Sequence, residues 1–448
     1  MLKFNSEHKF KIMQIADTQE TPDVSPDTLS LINSALDREK PDLVIFTGDQ
    51  IKGYSRKFRK DPVIIEKTID ILIEPVAKRN IPFMVTYGNH DAESGVDNRG
   101  QYEFYKKYKN FLSGNLRSSS DVGTADIQIY SSVGDKPVFG LYLIDSHGKA
   151  KEGGGYAPVE KKQIEWYVSR REQLKAENGD YLPSLVFQHI PVPEFFDVIK
   201  EVPRGTKGAV QAYGVHKNEY FVLSDETVAD GGFMLESPAS PDVNTGEFEA
   251  MSEKGDVLGI YVGHDHNNSF VVNFKGVDLG YTQGAGFNVY GPGENRGVRI
   301  FELDETAPRE YKTYTATFKE LCGTKIKTPV KEFIYRHSPT SVRAVKPILV
   351  KAGIGFAVLA AGYAAYKFQP LNIKIRHRVK KRGAAFLFYK REHMNYIHIL
   401  LHIKPVASRA AVYLMATVIG AEAEQSSVPA PLLFDCVIYL RKYGYIGF

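Results

Sequence analysis

Five short apolar runs in the first 270 residues each end in a cluster of carboxylate, amide or imidazole side chains, and this recurrence constrains the fold more than any other feature of the chain. KFKIMQIA leads to Asp17, DLVIFTG to Asp49, IPFMVTYG to Asn89 and His90, SLVFQ to His189, and DVLGIYVG to His264 and His266. The runs have strand length and are rich in Val, Ile, Phe and Tyr. The polar segments between them carry helical periodicity, which together is the pattern of an α/β fold. In such sheets ligands collect at the carboxyl ends of strands, so the five clusters are expected to converge on one mouth.

Between the runs, Ser25 or Asp27 is placed to cap a helix carrying Leu29, Ile32 and Leu36, and residues 159–177 carry Ile164, Tyr167, Val168 and Leu174 at helical spacing. Arg204 to Asp256 mixes Gly, Pro, Ser and Asp and reads as loops near the site. After the last cluster, SFVVNF, VDLGYTQ and GVRIFELD read as strands of a second sheet, with turns at Lys275-Gly276 and Gly291 to Gly297. No internal repeat or low-complexity tract is visible.

At 448 residues the chain exceeds one average domain, and its charge divides it. Residues 325–448 carry 20 basic and 5 acidic side chains, whereas residues 1–324 carry 37 and 48. The expected organisation is therefore an acidic catalytic body over 1–324 and a basic tail over 325–448. An acidic body is a poor platform for nucleic acid, and no specific nucleic-acid binding is expected; the tail suits an anionic membrane surface, RNA or the body itself. Within the tail, residues 347–366 form an apolar stretch broken only by Lys351, long enough to span a bilayer. The heavier basic cluster follows that stretch, against the positive-inside rule for a cytoplasmic body, so an interfacial or hairpin association, or a soluble helical tail, fits better than a simple span. The N-terminus lacks the apolar core of a secretory signal, so the expectation is a cytoplasmic protein, with membrane association through the C-terminal tail as one option. Two cysteines, Cys322 and Cys436, lie far apart without C-x-x-C spacing, which excludes a disulfide framework and a thiolate zinc site.

Taken singly the motifs are weak. Gly-Asp, as at Asp49, recurs at Asp135, Asp180 and Asp256, where an ordinary turn explains it. The bland reading of GNHD at 88–91 and GHDH at 263–266 is a polar turn with surface histidines. In order, however, D-x-Q, G-D, G-N-H-D, F-x-H-I-P and G-H-D-H form a set, each member after its own strand. That set resembles the calcineurin-like metallophosphoesterase superfamily over about residues 9 to 305, and F-Q-H-I-P with V-G-H-D-H-N-N is most similar to its purple acid phosphatase-related branch.

The resemblance implies a four-layer α/β/β/α sandwich with two mixed sheets, to which the chain adds a mainly helical C-terminal tail. It implies two divalent metal ions (Mn, Fe, Zn or Mg) bridged by Asp49, with Asp17, Gln19 and His266 on one and Asn89, His189 and His264 on the other. Such a centre generates hydroxide for in-line attack on a phosphate ester. His264 and His266, at i and i+2 on an extended turn, are expected to point the same way. By the same similarity His90 serves the leaving group, partnered by Asp91 or another carboxylate. One departure stands out: relatives carry D-x-H where this chain has Asp17-Thr18-Gln19. A Gln oxygen is a weaker donor than imidazole and favours Mg or Mn over Zn. Gln19 coordinates weakly, or a water takes its place, or the first site is disabled. The reading is thus phosphate-ester hydrolysis, monoester or diester, with a catalytically weakened, membrane-associated interaction module as the alternative. His147, His216, His393, His398 and His402 are read as structural or surface residues, the Gly153 to Gly155 run as a flexible loop, and Asn295 and Arg296, in a strand-connecting turn, as minor substrate-contact candidates.

Overall fold

The computed structural model describes residues 1–118, 121–150 and 155–337. The expected helical tail beyond residue 337, with the 347–366 stretch, its basic cluster and the three tail histidines, lies outside them. Among the described residues, no helix is long and apolar enough to cross a membrane. The chain divides into two units, Met1–Arg336 and His337–Phe448, and the fold that follows is that of the first.

A five-stranded sheet runs in the order Tyr311–Thr317, Gly297–Asp304, Lys9–Ile15, Leu43–Thr47, Phe83–Thr86. Its last three strands are parallel, and Gly297–Asp304 is antiparallel to Lys9–Ile15. At the centre of a nine-stranded sheet, Pro137–Ile144, Ser184–Gln188, Val257–Val262 and Val277–Tyr281 are parallel neighbours. Antiparallel strands Asp121–Tyr130 and Asn268–Phe274 flank that parallel set.

Strand alternation explains how the two sheets stack. Ile12, Leu43 and Ile45 face Leu141, Leu143, Leu185 and Phe187 in a core between the sheets. Their neighbours Met13, Val44 and Phe46 point the other way, onto the helices Pro26–Glu39 and Pro62–Lys78. Tyr142, Ile144 and Val186 likewise point outward, onto the helix Lys161–Asn178. Successive side chains leave opposite faces of a strand, so a strand buried on both faces must be apolar throughout, as these runs are. The result is the expected α/β/β/α sandwich.

Helix ends follow local chemistry. Ser25 is the cap of Pro26–Glu39, its hydroxyl accepting the Asp27 N–H, with Pro26 in the first turn. Asp27 instead accepts the backbone N–H groups of Lys327 and Thr328 at 2.9 and 3.2 Å. Lys161–Asn178 buries Tyr167 and Leu174 but only partly covers Ile164 and Val168. Residues 204–256 are mostly irregular, with short strands such as Tyr220–Val222 and short helices such as Glu247–Ser252.

One expectation needs correction. SFVVNF and VDLGY do form a hairpin, its turn built on Lys275 and Gly276 at φ 51° and 87°. GVRIFELD does not join them: it returns to the five-stranded sheet beside Lys9–Ile15, burying Phe301 and Leu303 between the sheets. Strand pairing at that distance depends on which edge is open, which no local pattern records.

The body continues through the helix Pro329–His337, which is pinned by a buried ion pair. Arg296 is fully buried; its guanidinium donates to Glu332 at 2.8 Å and to the carbonyls of Gly286, Val289 and Gly293. Glu332→Ala would strand that charge, with the carbonyls as its remaining partners. The expected cost is about 3 kcal/mol, the low end for breaking a buried pair, read as a lower urea midpoint. An unchanged midpoint would show that the pair does not anchor this helix.

Candidate metal centre

The five polar clusters do converge, at the seam where the carboxyl ends of both sheets meet. His189, from the nine-stranded sheet, places Nδ1 2.9 Å from the Thr47 carbonyl of the five-stranded sheet. The chain reaches the seam by turning sharply. Asp17, Gln19, Asp49 and His264 all have left-handed backbones, with φ of 53°, 34°, 51° and 73°. Such conformations cost a non-glycine residue on the order of 1 kcal/mol or more, and persist where surrounding structure enforces them. Glycine makes the approach feasible: a Cβ on Gly88 would stand 2.1 Å from Asp49 Oδ1, and one on Gly263 2.5 Å from Asp17 Oδ2.

Donor atoms fall into two groups. In one, Asn89 Oδ1 and His264 Nδ1 each lie 3.2 Å from His189 Nε2, and Asp49 Oδ2 lies 3.4 Å from it. In the other, Asp17 Oδ1 is 3.2 Å from His266 Nε2. The Gln19 side chain adjoins that group, its amide nitrogen 3.2 Å from the same imidazole nitrogen and donating to Asp49 Oδ2 at 2.6 Å. Asp49 Oδ2 is the atom the groups share. Atoms each about 2.0–2.2 Å from a common ion stand roughly 3.0–3.5 Å apart, and the contacts made by His189 Nε2 in the first group and by His266 Nε2 in the second fall in that range. Asp17 Oδ1 is buried without a hydrogen bond, as an atom reserved for a cation would be. Among the described residues, Asp17, Asp49 and His189 form the set whose ligand atoms all lie within 4.8 Å of one another.

The surrounding residues orient these donors. With Nδ1–H donated to Thr47, His189 presents its Nε2 lone pair to the first group. His266 donates from Nδ1 to the Tyr290 carbonyl at 3.0 Å and stacks on the Tyr290 ring at 4.2 Å, which fixes Nε2 toward Asp17. Asp91 points away from the donors and accepts the backbone N–H groups of Asp49, Gln50 and Gly88 at 2.8–2.9 Å, bracing two of the five loops. Asp265 also turns away, to the Tyr281 hydroxyl at 2.6 Å and the Ala239 N–H at 3.0 Å. His264 and His266 therefore point together through a left-handed kink at His264, not along the extended turn expected.

Electrostatics agree with an anionic seat. Burial opposes the charge of Asp49, but His189 and His90 hold its carboxyl far below the usual range. Burial likewise works against protonated His189, yet Asp49 and Asp17 raise it to about 10. His266 is raised against burial by Asp17, whereas burial and charged His189 depress His264.

His90 lies beside the donors, not among them. Its backbone N–H donates to Asp49 Oδ1 at 2.8 Å, its Nδ1 meets Glu93 Oε2 at 2.6 Å, and its ring rests edge-on against Tyr54 at 4.6 Å. Glu93 is thus the partner left open between Asp91 and another carboxylate. A carboxylate three residues after a histidine, across a single 3-10 turn, was a usable signal. Tyr54, Tyr156 against His264 at 4.4 Å, and Tyr290 carry no such local signal. His147 meets the Gln163 side chain and His216 stacks on Phe196.

A family model described as calcineurin-like phosphoesterase matches residues 10–268. Among curated relatives, the probable inactive purple acid phosphatase 14 of Arabidopsis thaliana is 29% identical, over 67% of this chain and 77% of its own. The probable inactive purple acid phosphatase 29 of the same plant is 28% identical, over 69% and 81%. The phosphatase DCR2 of Saccharomyces cerevisiae (strain ATCC 204508 / S288c) is 30% identical, over 46% of this chain and 39% of its own.

Asp91→Ala tests the brace. It removes no donor, yet frees the loops of Asp49 and Asn89, and metal affinity in competition with a chelator is expected to fall about 10–100-fold. Unchanged affinity would assign Asp91 no role beyond folding.

Proposed function

Because the chain belongs to the calcineurin-like phosphoesterase family, we propose that it hydrolyses a phosphate ester at a dinuclear metal centre, with Asp49 as the bridge. Asp17, Gln19 and His266 would hold one ion, and Asn89, His189 and His264 the other. The observation that carries this reading is the single oxygen, Asp49 Oδ2, set between two groups of donors. Bound divalent ions would supply Lewis acidity toward the phosphate oxygens and acidify water.

The chain's own residues do the rest. Asp49 and Asp17 seat the charge, while the outward imidazole nitrogens of His189 and His266 are tethered to carbonyls so that neither imidazole must reorient on binding. Glu93 holds His90 through Nδ1, which leaves Nε2 to pass a proton to the departing alkoxide. Burial resists ionising Glu93, but the His90 contact, with Lys149 beside it, keeps its carboxyl below the ordinary value.

Gln19 decides between an active and a weakened enzyme, and two relatives bear names that describe them as probable inactive phosphatases. In the present rotamer its NH2 faces Asp49, and its Oε1 lies 3.5 Å from the Tyr54 hydroxyl. Half a turn of the terminal amide exchanges these atoms: the carbonyl oxygen then faces Asp49 and His266, and the NH2 faces Tyr54. A neutral oxygen donor in that position suits Mn or Mg better than Zn. The centre is therefore read as active and selective, not disabled.

The test is hydrolysis of p-nitrophenyl phosphate and its bis ester by stripped protein given back Mn, Zn, Fe or Mg. Turnover should require metal and vanish in Asp49→Ala. His90→Ala should lower kcat by about 10²–10⁴, and Gln19→His should shift the preferred metal toward Zn. Metal that binds tightly without any turnover would favour the weakened-enzyme reading instead.

A further inference from the structure

Tyr54 stands at the edge of the metal centre on the His90 side. It is 40% exposed, yet its ring rests edge-on against His90 at 4.6 Å and its hydroxyl lies 3.5 Å from Gln19 Oε1. Over that ring, 5.2 Å from its centroid, sits the Lys52 ammonium. The same ammonium lies 4.8 Å from the centroid of Tyr335 and donates to the Asn288 carbonyl at 3.3 Å. Tyr335 belongs to the helix Pro329–His337, far along the chain from the loops that carry the donors. That helix makes a second contact on this side: Lys331 donates to the Asn288 side chain, and Asn288 donates to the carboxylate of Glu20, the neighbour of Gln19. Burial is the main cause of the raised Tyr54 phenol pKa, and Asp49, Tyr335 and Glu93 all add to it, so the ring stands among the three.

From this chain of contacts we infer that Tyr335 is a positioning residue for the hydrolytic reaction: it seats Lys52, Lys52 seats Tyr54, and Tyr54 steadies the His90 imidazole toward the leaving group. The inference rests on the phosphoesterase reading and extends its apparatus to the helix that leads into the basic tail. An ammonium shared by two aromatic rings is attracted to the π face of each and ties the rings together. Glu93 holds His90 at Nδ1, a single point about which the imidazole can still swing. The T-shaped contact with Tyr54, at 61°, gives the ring a second support and so defines its plane. A proton donor that loses its aim slows the reaction most where the departing oxygen depends most on the proton.

Leaving groups of different basicity expose such a role in the Mn-loaded full chain. p-Nitrophenyl phosphate releases a stabilised phenolate, whereas phenyl phosphate releases a more basic one that depends more on the proton from His90. Tyr335→Ala is expected to lower kcat about tenfold for phenyl phosphate and about threefold for p-nitrophenyl phosphate, with KM for both unchanged. Lys52→Met, which keeps the stem and drops the ammonium, should give the same split, and the double variant no larger one, because both changes remove the same link. Tyr335→Phe, which keeps the ring, should restore the wild-type ratio of the two rates. Equal falls for both esters would leave the helix a structural support only and overturn the inference. A wild-type ratio in Lys52→Met, or a ratio that Tyr335→Phe fails to restore, would overturn it too, with the phosphoesterase reading left standing. No turnover of either ester by the wild-type chain would overturn that reading and the inference with it.

Discussion

Two carboxylates, Asp17 and Asp49, are each only 1% exposed at the seam between the sheets, and the whole arrangement answers their charge. Burying an ionised carboxylate is among the most costly operations in folding unless positive charge or hydrogen bonds compensate it. In the bare chain the ion pairs of both are made to imidazoles, those of His189 and His266. These are soft compensators, because a histidine gives up its proton readily to a competing cation. A site that holds its charge this way is poised to exchange protons for metal.

The seam exists because each sheet is buried on both faces. Stacking forces the parallel strands of both sheets to end near a common plane, and their first turns then have nowhere to go but across the gap. Left-handed residues at Asp17, Gln19, Asp49 and His264 make those turns, and Gly88 and Gly263 leave room for the carboxylates. The strain is spread over several loops and held by bonds such as those from Asp91 to the backbone of Asp49, Gln50 and Gly88.

What could be read from the chain follows from what is local. Strand runs and their polar ends are contiguous, so Asp17, Asp49, Asn89, His189, His264 and His266 could be picked out and expected to meet. Partnerships that depend on tertiary placement could not. GVRIFELD was assigned to the wrong sheet because its pairing with Lys9–Ile15 spans most of the body. Arg296, set in a turn-like segment, is a buried tether for a helix some thirty residues onward. Tyr290 supports His266 from 24 residues away. The kink at His264 was read as extended because a histidine gives no warning of positive φ. Glu93 alone among the missed residues lay within reach of a spacing argument.

The most direct test of the account is the stoichiometry of metal binding. Stripped protein titrated calorimetrically with Mn should take up two ions per chain, releasing protons from the histidines as it does so, and Asp49→Ala should lose both high-affinity events because the shared oxygen is gone. A wild-type chain that binds no ion, or an Asp49→Ala chain that binds two as tightly as wild type, would contradict the claim that Asp49 bridges a dinuclear centre.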